Sequence, residues 1–436
     1  MSGVSPEQQR AEQSLRSLEL FGMRFGLDRM RRMMTVLDSP ERSFPTVHVL
    51  GTNGKSSTTR MTAAILERHG LATAAYVSPH LVTYRERILI GEREVEPSVF
   101  AHAVDAAVRA SERVNRTLGE DDHVTQFELL TAAGFCAMAE AEVDVGVIEA
   151  GLGGRYDATS VIDAGVTVLT NVGLEHTRWL GPTVSDIAEE KLAVVRAGGT
   201  LVLGADLDGQ ALAVASRVVR ERGARIVTAE RLPVELRLAS RGPFQRLNFA
   251  LAVAAASAHL ETLGRVLDWE AVTAVAVETV VPGRLQTVSD DPLTLLDGAH
   301  NPAAVAALVQ ALPELVGSRP VGLVLGVLED KDAVSMLRTL LPLCERAWFT
   351  APPSGRALSP AALESHARHL GFEAMSSVPR AAAALSEAQA WARDVGGAVL
   401  ATGSVYLVGD LIQAQLGGSG SLAPAPARPA GSATSK

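Results

Sequence analysis

Thr46-Val47-His48-Val49-Leu50-Gly51-Thr52-Asn53-Gly54-Lys55-Ser56-Ser57-Thr58 decides the fold class of this chain. Four of its first five residues favour strands, and a Gly-x-x-Gly-Lys-Ser turn follows. Met61, Ala64 and Ile65 then repeat on one helical face, and Gly70 stands where a helix would stop. Strand, glycine-rich turn and helix make a phosphate cradle. Glycines let the backbone approach a phosphate, helix N–H groups point at it, and Lys55 adds charge. Ser56 or Ser57 is placed to help hold a magnesium-bound phosphate. The loop is two residues shorter than the G-x-x-x-x-G-K-[ST] form, which narrows the family. The plain alternative is an ordinary βα turn that happens to be rich in glycine.

Outward from this loop, 436 residues are too many for one ordinary domain and imply two or three. A hydrophobic fraction of 47% is enough for sizeable cores. The net charge of −9, with no basic run or aromatic-interleaved basic patch, argues against a nucleic-acid partner. Cys136 and Cys344 lie far apart in sequence, so no disulfide framework is implied and a reducing cytoplasm fits. The N-terminus is polar and charged, without a signal peptide, and no apolar run reaches the ~18 residues of a membrane span.

Residues 5–37 read as helical, with Leu15, Leu18, Phe21, Met30, Met33, Met34 and Leu37 at helical spacings; the methionines read as packing. Beyond the phosphate loop, strand patterns fall at 73–77, 143–149, 166–171, 200–203, 293–297, 321–326 and 398–402. Helical patterns lie at 97–118, 127–140, 183–196, 248–263, 302–312, 333–341 and 381–392. Apolar strands alternating with helices predict mostly parallel α/β sheets with helices on both faces. Val281-Pro282-Gly283-Arg284 marks a break, after which the alternation restarts. The expected domains are an N-terminal ATP-binding one at 1–284 and a smaller Rossmann-like one at 285–416. The Gly/Ser/Ala/Pro-rich residues 417–436 are expected to be a disordered tail.

The polar residues of interest keep one phase. Gly51, Ser78, Glu149, Asn171, Asp297, Gly326 and Thr402 all end or follow predicted strands. In open parallel sheets the ligand crevice lies at that edge. Ser78 and His80 stand in Ser78-Pro79-His80-Leu81, which by itself also reads as a plain turn. Glu149 emerges from an apolar strand, where a carboxylate is costly unless paired or metal-bound, and so favours magnesium. The following Gly151-Leu152-Gly153-Gly154 lacks the third glycine and the distal acid of a dinucleotide fingerprint. His176 reads alone as a loop histidine, and Lys191 as half of a helical salt bridge with a nearby glutamate. Asp297-Gly298-Ala299-His300-Asn301-Pro302 opens a helix after a strand. Its aspartate suits ribose hydroxyls, but Asp-Gly is also turn chemistry.

These segments together resemble folylpolyglutamate synthase/dihydrofolate synthase, a branch of the Mur ligase superfamily, over about residues 18–416. The likeness runs through Gly26-Leu27-Asp28-Arg29, the Gly51–Ser57 loop, Ser78-Pro79-His80-Leu81, Glu86-Arg87-Ile88 and Thr125-Gln126-Phe127-Glu128. It continues through Glu149 to Thr159, His176-Thr177, Ile187 to Lys191, Gln245 to Asn248, Pro282-Gly283-Arg284, Asp297 to Pro302, Leu325 to Asp332 and Thr402-Gly403-Ser404-Val405-Tyr406. The resemblance implies that Gly51, Thr52, Asn53, Gly54, Lys55, Ser56 and Ser57 hold ATP phosphates. Asn248, Arg284 and Asp297 match adenine, phosphate and ribose contacts. Ser78, Glu149 and His176 match magnesium ligands, and Lys191 matches a lysine that is carbamylated in relatives. His300 and Ser404 match positions near the reacting centre and the glutamate. Thr125 and the loop Gly153, Gly154, Arg155 and Asp157 match the pteroate side. Four positions depart from the usual pattern: Ser56 for Gly, Glu175 for Asp, Ser160 for Asn, and Gln126 for an aromatic residue.

The activity so implied is ATP-dependent joining of L-glutamate to a pteroate or folate carboxylate through an acyl phosphate. ATP and magnesium are the cofactors, with room for a second magnesium site and a monovalent cation. The expected partners are small molecules, with neither nucleic acid nor membrane, for a cytoplasmic monomer. Two alternatives stand beside it. A sibling ligase with another carboxylate acceptor is disfavoured because short helices lead straight into the phosphate loop. A regulatory ATP-binding module without turnover is disfavoured because Lys55, Glu149, His176 and Arg284 are all present.

Overall fold

Strand β1 (Thr46–Leu50) is buried at every residue, as expected of a mostly apolar strand covered on both faces, and its one histidine, His48, is satisfied 2.9 Å from Thr159 Oγ1. The computed structural model describes residues 6–18 and 26–416. The expected tail at 417–436 and Phe21 lie outside them. In the first sheet β1 is joined by β2 (Thr73–Tyr76), β3 (Ile88–Ile90), β4 (Arg93–Glu94), β5 (Val145–Glu149), β6 (Val166–Leu169), β7 (Thr200–Leu203) and β8 (Arg225–Thr228). The order is β4-β3-β2-β5-β1-β6-β7-β8. Pairing is parallel from β2 to β8, and the β3–β4 hairpin adds an antiparallel edge.

The second sheet begins at Gln286. It contains β9 (Gln286–Asp290), β10 (Leu293–Leu296), β11 (Val321–Leu325), β12 (Arg346–Phe349), β13 (Met375–Ser377) and β14 (Ala398–Thr402). Its order is β13-β12-β11-β14-β10-β9, parallel except for the β9–β10 hairpin. The expected α/β class, with two mostly parallel sheets, is therefore borne out. The added antiparallel edges are the departure from that reading.

Helices cover both faces of each sheet. On one face of the first sheet, Met30, Met33, Phe100 and Phe135 form a core. On the other, Met61 and Ile65 of the helix Lys55–Arg68 pack with Phe249 and Leu251 of the helix Pro243–Thr262. The second sheet is filled by Val305, Leu308 and Met336 on one side and by Leu385, Leu407 and Leu411 on the other.

The two bodies meet where Leu81 and Val82, from the loop after β2, pack into the second body's core. Gly409 of the helix Val405–Leu416 permits this, because a Cβ there would run into the Leu81 carbonyl. Gly409→Val is expected to lower stability by about 1–3 kcal/mol, the usual cost of overpacking. A urea-denaturation midpoint equal to the parent's would show that this contact yields freely.

Candidate active site

The C-terminal ends of β1, β2, β5, β6 and β10 open on one cavity of about 970 Å³, lined from both bodies. All seven residues Gly51–Ser57 line it. The loop is braced from β6's end: Thr52 N–H donates to Asn171 O at 3.0 Å and Asn53 N–H to Asn171 Oδ1 at 2.9 Å. Thr170 Oγ1 donates to Asn53 O at 2.7 Å. Gly54 starts the helix Lys55–Arg68 with a left-handed φ of 82°, and a side chain there would strike the Asn248 amide. The close approach explains the glycine and places Asn248 against the loop. The first N–H groups of a 14-residue helix thus face the cavity, as anion binding requires.

Ser78, Glu149 and His176 also line this cavity. Ser78 N–H donates to Glu149 Oε2 at 3.0 Å and Ser56 Oγ to Glu149 Oε1 at 3.0 Å. Glu149 is 1% exposed. Burial raises its pKa, opposed first by Lys55, then by these two hydrogen bonds and by Arg284. Burial lowers the pKa of His176, against the pull of Glu175, and so favours the neutral, ligand-competent imidazole.

Lys191 is buried, and its Nζ donates to Gly51 O at 2.9 Å. The cavity therefore takes this amine, which by itself read in the sequence as half of a helical salt bridge with a nearby glutamate. Burial, followed by repulsion from Lys55, pushes its pKa down to about 7 from 10.5. Between those pH values the unfolded chain binds a proton that the folded amine releases, so stability rises with pH. Lys191→Met should therefore be more stable than the parent at pH 7 by on the order of a few kcal/mol, less the lost Gly51 hydrogen bond. The difference should shrink as pH climbs towards 10.5. Thermal melts in bicarbonate-free buffers across this range check it, and a pH-independent difference would contradict the burial argument.

Asp297 and His300 bring the second body to the same cavity, and Arg284 reaches it from the junction. Asp297 is buried; Oδ1 accepts from Ala299 N at 2.8 Å and Oδ2 from Leu285 N at 2.9 Å. The second bond ties the junction between the bodies to the end of β10. Burial raises the Asp297 pKa and Arg284 opposes it.

Six predicted residues stand away from the cavity wall. Thr125 caps the helix Gln126–Glu140, accepting from Glu128 N at 3.3 Å; Thr-x-x-Glu is a capping box legible in sequence. Glu128 in turn accepts from Arg29 Nε at 3.0 Å. Gly154 packs against the backbone of Glu190 and Lys191, and so braces the helix that delivers the buried amine. Gly153 lies against Leu180. Arg155 pairs with Glu190 at 3.1 Å in solvent. Asp157 is held by Leu152 N at 2.7 Å and Thr159 N at 3.0 Å. Ser404 is 1% exposed, its Oγ accepting from Tyr406 N at 3.2 Å. Of the departures, Gln126 donates to Leu15 O at 2.9 Å and to Tyr84 Oη at 3.0 Å. It ties the N-terminal helix Pro6–Ser17 to the loop after β2.

Sequence reading assigned no role to Thr170, Asn301 or Lys331. Lys331 lies inside one of the quoted motifs, but its partner is far away in sequence.

Two α/β bodies sharing one phosphate-loop cavity follow the plan of a Mur-type ligase. A family model for "Mur ligase, glutamate ligase domain" matches residues 283–405. The folylpolyglutamate synthase of Lacticaseibacillus casei is 32% identical over 415 residues, covering 89% of this chain and 94% of that protein. The Escherichia coli dihydrofolate synthase/folylpolyglutamate synthase is 32% identical over 84% of this chain and 85% of its own. Among solved structures, Mycobacterium tuberculosis folylpolyglutamate synthase complexed with ADP superposes with a TM-score of 0.87 at 29% identity, covering 94% and 98% of the two chains. An E. coli relative in complex with DHPP and ADP gives 0.80 at 28% identity, covering 93% and 97%. The chain belongs to the folylpolyglutamate synthase/dihydrofolate synthase family of ATP-dependent ligases.

Proposed function

We infer that this chain binds ATP and joins L-glutamate to a pteroate or folate carboxylate. The observation that carries the reading is the shared cavity, where the phosphate loop and Glu149 meet Arg284, Asp297 and His300. Relatives solved with ADP, with AMPPCP and with DHPP support the same ligands. The acceptor carboxylate attacks the γ-phosphorus and ADP leaves. The amine of glutamate, having lost a proton from its ammonium, then attacks the acyl carbon, and phosphate leaves as the amide forms. Carboxylate is a poor electrophile, and phosphorylation supplies the leaving group.

In this reading residues 1–284 bind ATP and 285–416 present the amino acid. Lys55 and the loop N–H groups hold the transferring phosphate, and Arg284 neutralises its charge. Asn248 faces the adenine and Asp297 the ribose. The donor chemistry fits magnesium: the buried Glu149 carboxylate, with the Ser56 hydroxyl 3.0 Å from it and Ser78 beside it through its N–H, offers hard oxygens, and His176 would add an imidazole nitrogen. Bound there, magnesium supplies charge neutralisation on the phosphates. Lys191, whose pKa lies near 7, offers the unprotonated amine that adds to carbon dioxide, giving a carbamate and a proton. His300 and Ser404 serve the glutamate side. Thr125 and the 153–157 loop shape the pteroate side through the helix and turn that they fix. Closure of the two bodies over this cavity would exclude water from the acyl phosphate.

Among the described residues no helix is long and apolar enough to cross a membrane. Small-molecule partners and a cytoplasmic monomer are part of this proposal. The test is phosphate release with ATP and L-glutamate against dihydropteroate, a folate monoglutamate and a peptidoglycan-type acceptor. Stimulation by either of the first two is the expected result. Stimulation only by the third, or by none, would displace the reading.

A further inference from the structure

Glu175 is the one departure from the family pattern that stands between the two bodies. It follows the β6 loop that braces Asn53, and its side chain is 13% exposed. Its Oε1 lies 3.0 Å from Lys331 Nζ and 3.6 Å from His300 Nε2, both on the second body. His176 Nε2, its sequence neighbour, is farther away at 3.8 Å. The Lys331 side chain is only 11% exposed, so the pair differs from a solvated surface ion pair of small worth. Removing one partner would strand a nearly buried charge. The other ring nitrogen of His300, Nδ1, is anchored 2.9 Å from Gly298 O. One residue further on, Asn301 Nδ2 donates to Asn53 Oδ1 at 3.0 Å. The phosphate loop and the β6 loop thus grip the same segment of the second body, and Glu175 supplies the only charged part of that grip among these contacts.

We propose that Glu175 is a positioning residue: its carboxylate docks Lys331 and His300 over the nucleotide cavity and so sets the geometry in which the second body meets the amino-acid substrate. This rests on the ligase reading. Glu175 lines the cavity wall, yet its carboxylate is committed to the second body, and Ser56 and Ser78 serve Glu149 without it. Nucleotide binding on the first body is therefore separable from its action. Length matters as well as charge. An aspartate is one methylene shorter and withdraws the oxygen from Lys331.

The test uses the full chain with Glu175→Gln, Glu175→Asp, Lys331→Met and the double variant Glu175→Gln/Lys331→Met. The expected result for Glu175→Gln is a fall of about 10- to 100-fold in kcat/KM for L-glutamate, the scale of a misplaced reacting group. KM for ATP, and the magnesium concentration giving half-maximal AMPPCP binding, should move less than about threefold on the same argument. Glu175→Asp should fall between Glu175→Gln and the parent. The double variant should lose no more than the worse single one, because both remove one interaction. Fluorescence energy transfer between labels on the two bodies should show a wider distance distribution in Glu175→Gln with AMPPCP bound. Unchanged glutamate kinetics together with an unchanged distance distribution would overturn the proposal, as would additive losses in the double variant. A raised magnesium requirement for AMPPCP would also overturn it, assigning Glu175 to His176 instead. If the parent releases no phosphate with glutamate, the ligase reading fails, and the distance distribution still decides the docking role.

Discussion

Glu149→Gln is expected to cut glutamate-dependent phosphate release by about 10²- to 10³-fold, the loss seen when one preorganised electrostatic group is removed, while leaving the protein folded. The replacement keeps the shape and the acceptor for Ser78 N–H, and its amide can donate to Ser56 Oγ. What disappears is the negative charge in a buried site facing Lys55 and Arg284. The stability consequence runs the other way. Burial raises the Glu149 pKa, so above the ordinary carboxylate range the folded state holds on to a proton that the unfolded chain gives up. Stability then falls as pH rises through the window between the two pKa values. Glu149→Gln, which has no proton to lose, should melt at or above the parent's temperature at pH 7.5, and the gap should close as pH falls through that window towards 4.5, the ordinary carboxylate value. Phosphate release near the parent's rate would remove Glu149 from the chemistry. A collapse of the melting temperature would make it a structural carboxylate.

Arg284→Ala is expected to lower turnover by a similar factor of about 10²–10³ with only a small shift in melting temperature. The guanidinium crosses Gly298, where a side chain would collide with it, and its charge reaches both Asp297 and Glu149. It is also a cavity residue at the junction of the two bodies. Losing it leaves Asp297 with its two backbone N–H donors, so the fold keeps its local ties. A phosphate at the loop loses its counter-charge from the junction. Arg284→Lys should recover only part of the activity, because a point charge does not reproduce the planar fork. Thermal stability measured beside ATP- and glutamate-dependent phosphate release separates the cases. Turnover close to the parent's, or a loss that tracks unfolding, would refute the role.

Central strands and the ligand edge were readable because their causes are local. A strand covered on both faces must be mostly apolar, and β1, β5, β6, β7, β11 and β14, buried at every residue, are. The polar residue that ends such a strand then points to the crevice. Edge strands escaped the same reading. β8, Arg225–Thr228, is largely exposed, and β4 is two exposed residues. Neither needs an apolar run, so neither leaves one in the sequence.

The site divides the same way. The phosphate loop, Ser78, Glu149 and Asp297 are fixed by the strand that precedes each, and sequence alone placed them at one edge. Lys191 looked like an ordinary helical salt-bridge partner. Only packing of its helix beneath Gly51 turned it into a buried amine with a depressed pKa. Ser404 was brought to the reacting centre by resemblance alone, and its hydroxyl turns towards Tyr406 in the structure. Lys331 meets Glu175 across 156 residues, and Asn301 meets Asn53 across 248. By itself the sequence determined two α/β bodies and the residues at each sheet's ligand edge, because burial and backbone preference act over a few residues. Which of those residues face one another was decided only by how the bodies dock, because contacts between loops on separate sheets leave no periodicity in the chain.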